Sequence, residues 1–195
     1  MKLLFLKYQY GVSKIKTLLK LIMRNKITKI ISFVLFISII FACNTRNNID
    51  NYNSNLEIVQ SAINDINEYF LDDSKTKINI NKYYTDDFIF YSYPAGHKKG
   101  IKTSKFDYIE NLDDMKKMNM SINIGHCIYL PGINEISYDL DGSVRVYYGA
   151  TIAIDTNTIE FSGYQTINLK DGKIEAIWEW ADYGGVNNQL NQFYK

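Results

Sequence analysis

The part of this chain best suited to chemistry is a carboxylate that closely follows two tryptophans. Asp182 comes after Trp178 and Trp180 in the run 171–189, DGKIEAIWEWADYGGVNNQ. A carboxyl group among apolar rings loses hydration, which lifts its pKa toward the range useful for moving protons. Tyr148, Gln165 and His126 fall on the same expected strand face. They would supply hydrogen bonds to an enolate-like oxygen. Phe161, Trp178 and Trp180 would wall the space, joined by Tyr91 from the strand 88–93 and His97 from the loop after it. Each of these residues also has a plainer reading. Asp182 also suits a cap for the turn 182–185 or for the helix after it. His126 also reads as a satisfied core histidine, and His97, beside Lys98 and Lys99, as a solvated loop residue. Two histidines without ligand spacing predict no metal site. No glycine-rich phosphate loop or nucleophile elbow is present, so no cofactor is expected.

These residues must be positioned by a sheet. Asp171-Gly172 between two alternating runs signals a two-residue hairpin turn. That turn predicts Leu169 opposite Ile174, Ile167 opposite Ala176, Gln165 opposite Trp178, Gly163 opposite Trp180, and Phe161 opposite Asp182. Strand side chains alternate, so this set shares one face. Lys173, Glu175 and Glu179 fall on the other, wet face. Gly163 opposite Trp180 leaves room in the apolar face. A second turn at Thr156-Asn157 predicts Ile152 opposite Phe161, Ala150 opposite Gly163, Tyr148 opposite Gln165 and Val146 opposite Ile167. Met120, Ile122, Ile124, His126, Ile128 and Leu130 alternate as the inner side of the strand before, and Pro131-Gly132 interrupts it. Asp141-Gly142 marks a longer loop. These strands form an antiparallel meander.

Helices come first in the chain. Ser54 and Glu57 have capping-box spacing. Leu56, Val59, Ile63, Ile66 and Phe70 then recur at helical steps, until Asp72-Asp73-Ser74 breaks the pattern. A second, shorter helix is expected over 75–84 and a strand over 88–93. A third helix is capped by Ser104 with Asp107, its inner side being Phe106, Ile109, Leu112 and Met115.

Residues 1–42 read as an address. Eight of the 22 Lys/Arg lie there with no Asp or Glu, so the rest of the chain carries 14 basic against 21 acidic side chains, net −7. That acidity argues against nucleic acid as a partner. The uncharged run 30–42 is too short to span a bilayer and suits a signal-peptide core. It ends at Ala42-Cys43, which resembles the bacterial lipoprotein signal, in which that cysteine is lipidated. Met23 begins a complete signal of ordinary length. Residues 43–53 form a lipidated cysteine and a polar, flexible tether, and a single domain fills 54–195. With Cys43 lipidated, Cys127 is a lone thiol. The expected location is the bacterial cell envelope, with the chain lipid-anchored to a membrane. Asn44 after the cysteine favours the outer membrane where there are two.

The predicted order of helices, strand, helix and long meander makes an α+β domain with helices on one face of a curved sheet. From about Leu56 to Gln189 the chain resembles the nuclear transport factor 2-like superfamily, in its SnoaL-like, polyketide-cyclase branch. The residues carrying the resemblance are the first helix, Tyr84-Thr85-Asp86-Asp87-Phe88 leading into a strand, and Gly100 before the third helix. Asp171-Gly172-Lys173-Ile174, then Trp178, Asp182 and Gln189-Leu190, complete it. The resemblance implies a cone-shaped half-barrel, with about three N-terminal helices packed on the concave face of a curved antiparallel sheet around a pocket. It implies cyclase, isomerase or dehydratase chemistry in some members, with Asp182 in the acid/base position. Three functions follow: a module binding a small hydrophobic molecule, an enzyme using Asp182, or a homodimeric interaction domain with a filled pocket.

Overall fold

The computed structural model describes residue 49 and residues 51–193. The signal segment, Cys43 and most of the tether lie outside the described residues. Helix α1 covers 51–71, so the helix is under way three residues before Ser54. Strand β1 is Tyr84–Ser92, β2 Ile101–Ser104, β3 Met120–Ile133, β4 Leu140–Ile154, β5 Asn157–Lys170 and β6 Lys173–Ala181. Helix α2 is Lys105–Lys117 and α3 Tyr183–Phe193. The six strands form one sheet in the order β2-β1-β6-β5-β4-β3. All neighbours are antiparallel except β1 and β6. The result is an α+β fold: a curved, unclosed sheet with helices packed on it.

The helix expected over 75–84 is absent. Only a 3-10 turn, Asn81–Tyr83, forms there. Two β-branched residues, Ile78 and Ile80, are both buried and pin the segment to the core. The Ile78 N–H donates to the Asp113 carboxylate of α2 at 2.9 Å instead of to a helical carbonyl. The N-terminal helices on the sheet are therefore α1 and α2 among the described residues, and α3 packs from the C-terminal end. α2 begins as expected, with the Ser104 hydroxyl accepting from Asp107 N–H at 3.2 Å. Tyr108, Ile109, Leu112 and Met115 face the core, but Phe106 does not and is 71% exposed.

α1 supplies Val59, Ala62, Ile66, Tyr69 and Phe70 to the core. They meet Tyr84 and Phe88 of β1, Val144, Val146, Tyr148 and Ala150 of β4, Ile167 of β5, and Ile174 and Ile177 of β6. Burying a side chain the size of Val59, Ile66 or Phe88 contributes about 1.5–3 kcal/mol. α1 also protects the edge strand β3. The Asn67 amide donates to Ile124 O and accepts from Ile124 N–H, both at 2.8 Å. This pairs backbone groups that an open sheet edge leaves free. Lys116 of α2 closes the other end of α1 by donating to the carbonyls of Tyr69 and Asp72.

Registers decide which side chains share a face, and three differ from the expectation. The Thr156-Asn157 turn sits one residue earlier, at Asp155-Thr156, with Ile154 opposite Asn157. Tyr148 now faces Gly163, Ala150 faces Phe161 and Val146 faces Gln165. The slip is two residues, so every side chain keeps its face. In β5–β6 the Asp171-Gly172 turn forms as expected, both residues at positive φ (51° and 72°), and Leu169 faces Ile174. A bulge then places Ala176 opposite Asn168, Ile177 opposite Ile167, Glu179 opposite Gln165 and Trp180 opposite Tyr164. That one-residue slip exchanges the faces of the rest of β6. In β3 a bulge after Gly125 has His126 at φ 47° and leaves Ile128 opposite Tyr147. Cys127 and Tyr129 pack on the core in place of His126, Ile128 and Leu130.

Candidate functional site

Two sets of side chains result, one on each face of the sheet. On the concave face the carboxylate of β6 belongs to Glu179. Its Oε2 accepts from Tyr148 Oη at 2.7 Å and from Gln165 Nε2 at 2.5 Å. Its Oε1 accepts from Tyr183 Oη, in the first turn of α3, at 2.6 Å. The backbone explains the convergence: Gln165 lies directly across β5 from Glu179, and Ser92 lies across β1. Tyr148 and Gln165 are buried, and Phe161 meets Tyr148 edge-on at 6.3 Å. Burial first, and the Glu179 charge second, push the hydroxyls of Tyr108, Tyr148 and Tyr183 well above the ordinary tyrosine range. They stay protonated donors across the physiological range.

Chemically this is a brace. An ionised carboxylate offers about four acceptor positions, and three are taken by donors from β4, β5 and α3. The hollow expected at Gly163 is filled as well. The Tyr148 ring lies over Gly163, where any Cβ would collide with its hydroxyl and ring carbons.

The expected site residues are thus divided. Tyr148, Gln165 and Phe161 remain together on the concave face. Trp178 and Trp180 are on the convex face, because the β6 bulge turned them there. Tyr91 stacks on Trp178 at 5.3 Å, with rings 3° from parallel and Lys102 Nζ above Tyr91. His126 is carried to the convex side by the β3 bulge and lines the hollow there. His97 is exposed in its loop. Asp182 is exposed, and its Oδ1 accepts from Gly185 N–H at 2.8 Å. It therefore caps α3 at the N-terminus and faces no apolar hollow. No cluster of three or more His, Cys, Asp or Glu side chains suited to a metal ion occurs among the described residues.

The convex face carries a trough of about 620 Å³ lined by Tyr93, His126, Ile128, Tyr147, Ser162, Tyr164 and Trp180 with neighbouring backbone. Four rings form one wall. Tyr147 lies 4.7 Å from Tyr164, Tyr164 5.8 Å from Trp180, and Trp180 4.7 Å from Tyr93. Tyr147 and Trp180 remain 49% and 44% exposed, so their apolar surface is open to a partner.

Sequence reasoning missed Glu179, Tyr183, Tyr93, Tyr147 and Tyr164. One signal was present. Ile174 and Ile177 are both buried and three residues apart. Strict alternation puts same-face residues an even number apart, so the odd spacing marks an extra residue between them.

No family model matches the sequence, and no curated protein sequence matches it. Solved structures do match in shape. A candidate polyketide cyclase from Xanthomonas campestris pv. campestris superposes with a TM-score of 0.53 at 13% identity, covering 72% of this chain and 98% of that one. A phenazine biosynthesis-related protein from Pseudomonas aeruginosa gives 0.52 at 15% identity, covering 75% and 88%. An NTF2-like protein from Burkholderia xenovorans LB400 gives 0.48 at 14%, covering 70% and 95%, a likeness too loose to carry weight alone. Identities this low speak for the fold, and chemistry has to be argued from this chain's own side chains. The chain therefore shares the fold of these solved structures, the curved sheet with packed helices that the nuclear transport factor 2-like resemblance implied.

Proposed function

We propose that this chain is a lipid-anchored binding protein of the bacterial cell envelope, and that its domain holds a small hydrophobic molecule without transforming it. The observation that carries the reading is the convex trough, whose wall leaves Tyr147 and Trp180 about half exposed beside Ile128. Exposed apolar surface gathered in a concavity marks a binding site. The anchor rests on Cys43 after an apolar signal core. Enzymatic cyclase, isomerase or dehydratase action has less support. Asp182 is engaged as a helix cap, and Glu179 is engaged by three donors.

Native mass spectrometry of the full-length chain tests the binding reading. A co-purified apolar molecule that a Trp180→Ala variant no longer retains supports it, and an empty chain in every preparation counts against it. Labelled palmitate incorporation tests the anchor: it should reach the wild-type chain and be lost in Cys43→Ser.

A second reading is a homodimer formed through the same convex face. Exposed Leu130 and Ile133 extend the apolar surface past Ile128 along β3, beyond what a small ligand covers. Sedimentation of the ligand-free chain separates the two, because a dimer that Leu130→Lys breaks points to self-association.

A further inference from the structure

We infer that the tip of the β3–β4 hairpin sits in the headgroup layer of the membrane that anchors the chain, and that this contact fixes how the domain stands on a zwitterionic lipid surface. The seating rests on the lipidated Cys43 proposed above and adds a second point of contact with the same bilayer.

The tip is apolar and open. Ile136 and Tyr138 are 83% and 76% exposed, and Ile133 beside them is 45% exposed. Exposed hydrophobic residues scattered singly are ordinary, but a group of them on one loop marks a contact surface. The loop is also built to carry them out of water. Asn134 N–H donates to Asp139 O, and Tyr138 N–H to Asn134 O, both at 2.9 Å. The Asn134 side chain accepts from Ile136 N–H at 2.9 Å and from Ser137 N–H at 3.0 Å. The Ser137 hydroxyl accepts from Asp139 N–H at 3.3 Å. The N–H groups of 134 and 136–139 are thus all satisfied within the loop, and a backbone group so paired loses least on leaving water. Tyr138 is held at φ 60°, in the left-handed region that suits glycine or asparagine better than a ring. What the tyrosine supplies in return is an amphipathic side chain of the kind that settles at a bilayer interface.

The anchor enters the domain at the same end. Near the start of α1, Asn55 Nδ2 donates to Gly142 O at 2.8 Å, and further along the helix Asn67 pairs with Ile124. α1 therefore runs antiparallel to β3 and begins beside the hairpin. Cys43 precedes Asn51, the first residue of α1, by eight residues, so it lies within about 28 Å of that point whatever path the chain takes. A lipid on Cys43 keeps this end of the domain close to the bilayer. Val144 lies opposite Ile167, and continuing that register brings Leu140 level with the Asp171-Gly172 turn. Residues 134–139 extend past that turn toward the lipid. Charge selects the headgroup. Glu135, Asp139 and Asp141 surround the tip, while Lys170 and Lys173 flank the Asp171-Gly172 turn, and all five are exposed. A surface carrying both signs complements a headgroup that carries both, a phosphate and an ammonium.

The test purifies the full-length chain from bacteria fed labelled palmitate, as wild type, Ile136→Trp and Tyr138→Trp. Each is reconstituted into phosphatidylcholine vesicles with and without brominated acyl chains, and tryptophan emission is compared. Both replaced side chains are exposed, so neither ring has to be fitted into the core, and circular dichroism checks each fold. Trp178 and Trp180 lie on β6, separated from the hairpin by β5, so the wild type supplies the background. The expected result is that bromination lowers the emission added at position 136 or 138 at least twofold and changes wild-type emission by less than a tenth. A palmitate-labelled chain whose added emission ignores bromine at both positions overturns the seating while the anchor stands. If that emission instead shifts to the blue only in native membranes, the tip meets a protein, and the bilayer contact is equally overturned. Quenching without palmitate label supports the seating and overturns the anchor. Neither label nor quenching overturns both. Wild-type emission quenched as strongly as that of the variants shows the convex face lying on the lipid, which also overturns the seating.

Discussion

Gly163→Ala is the substitution whose effect the structure defines most closely. The added methyl would overlap the hydroxyl, Cζ and Cε1 of Tyr148, the last at 2.8 Å, all closer than real Cβ contacts. Tyr148 has little freedom to give way. It is buried, packed edge-on against Phe161, and donates to Glu179 at 2.7 Å. Overpacking a well-filled core costs about 1–3 kcal/mol. Moving the ring also breaks a hydrogen bond to a carboxylate, which costs about 1.5–3 kcal/mol. The variant should therefore lose about 3–5 kcal/mol. At a slope of about 2 kcal/mol per molar urea, that lowers the denaturation midpoint by about 2 M. The decisive measurement is a double-mutant cycle. Tyr148→Ala alone should be costly, but adding Gly163→Ala to it should cost no more than about 0.5 kcal/mol, because the colliding ring is gone. Urea titrations followed by far-ultraviolet circular dichroism give all four values. If Gly163→Ala is neutral in the wild-type background, or the two costs simply add, the claim that Tyr148 fills the Gly163 hollow is wrong.

Other outcomes follow from the brace and the cap. Glu179→Ala leaves three donors without an acceptor and should cost about 3 kcal/mol or more, while Glu179→Gln, which keeps an acceptor oxygen, should cost less. Thermal melts rank the two, and equal midpoints would show that the network contributes little. Asp182→Ala removes the acceptor for Gly185 N–H and should cost about 1 kcal/mol, whereas Asp182→Asn keeps a capping oxygen and should be close to neutral. Hydrogen exchange in 183–187 is the direct readout, and protection unchanged in Asp182→Ala would refute the cap. High pH should weaken the fold. Tyr84, Tyr108, Tyr148 and Tyr183 all bind their protons more tightly folded than unfolded, chiefly through burial. Their contribution is therefore complete below the unfolded tyrosine pKa of about 10, and is lost as pH climbs from there toward the raised folded values. Denaturant midpoints that stay flat between pH 9 and pH 11 would contradict this.

Local chemistry was legible from sequence. Ser104 with Asp107 marked the start of α2, and Asp171-Gly172 marked a hairpin whose first pair, Leu169 and Ile174, is correct. Periodicity in 56–70 found the helix that covers the concave face. The fold class followed from the order of such elements. These features depend on neighbours in the chain, whose capping and turn geometry residue types dictate directly.

Which face a strand residue occupies is a different quantity, because it is summed along the strand. A two-residue slip at the β4–β5 turn left every side chain on its own face, so the concave residues of those strands were read correctly. A single extra residue at 175–176 exchanged Glu179 for Trp178 and Trp180, and a bulge beside His126 did the same to β3. A bulge forms where packing on both faces favours it, and that comparison involves Ile167, Ile177 and the helices across the core. Residues far apart in sequence decide it together. The chain alone determined an α+β fold with a carboxylate and aromatic rings near its last strand. Only tertiary packing decided that the carboxylate faces inward as a brace while the rings face outward as a wall.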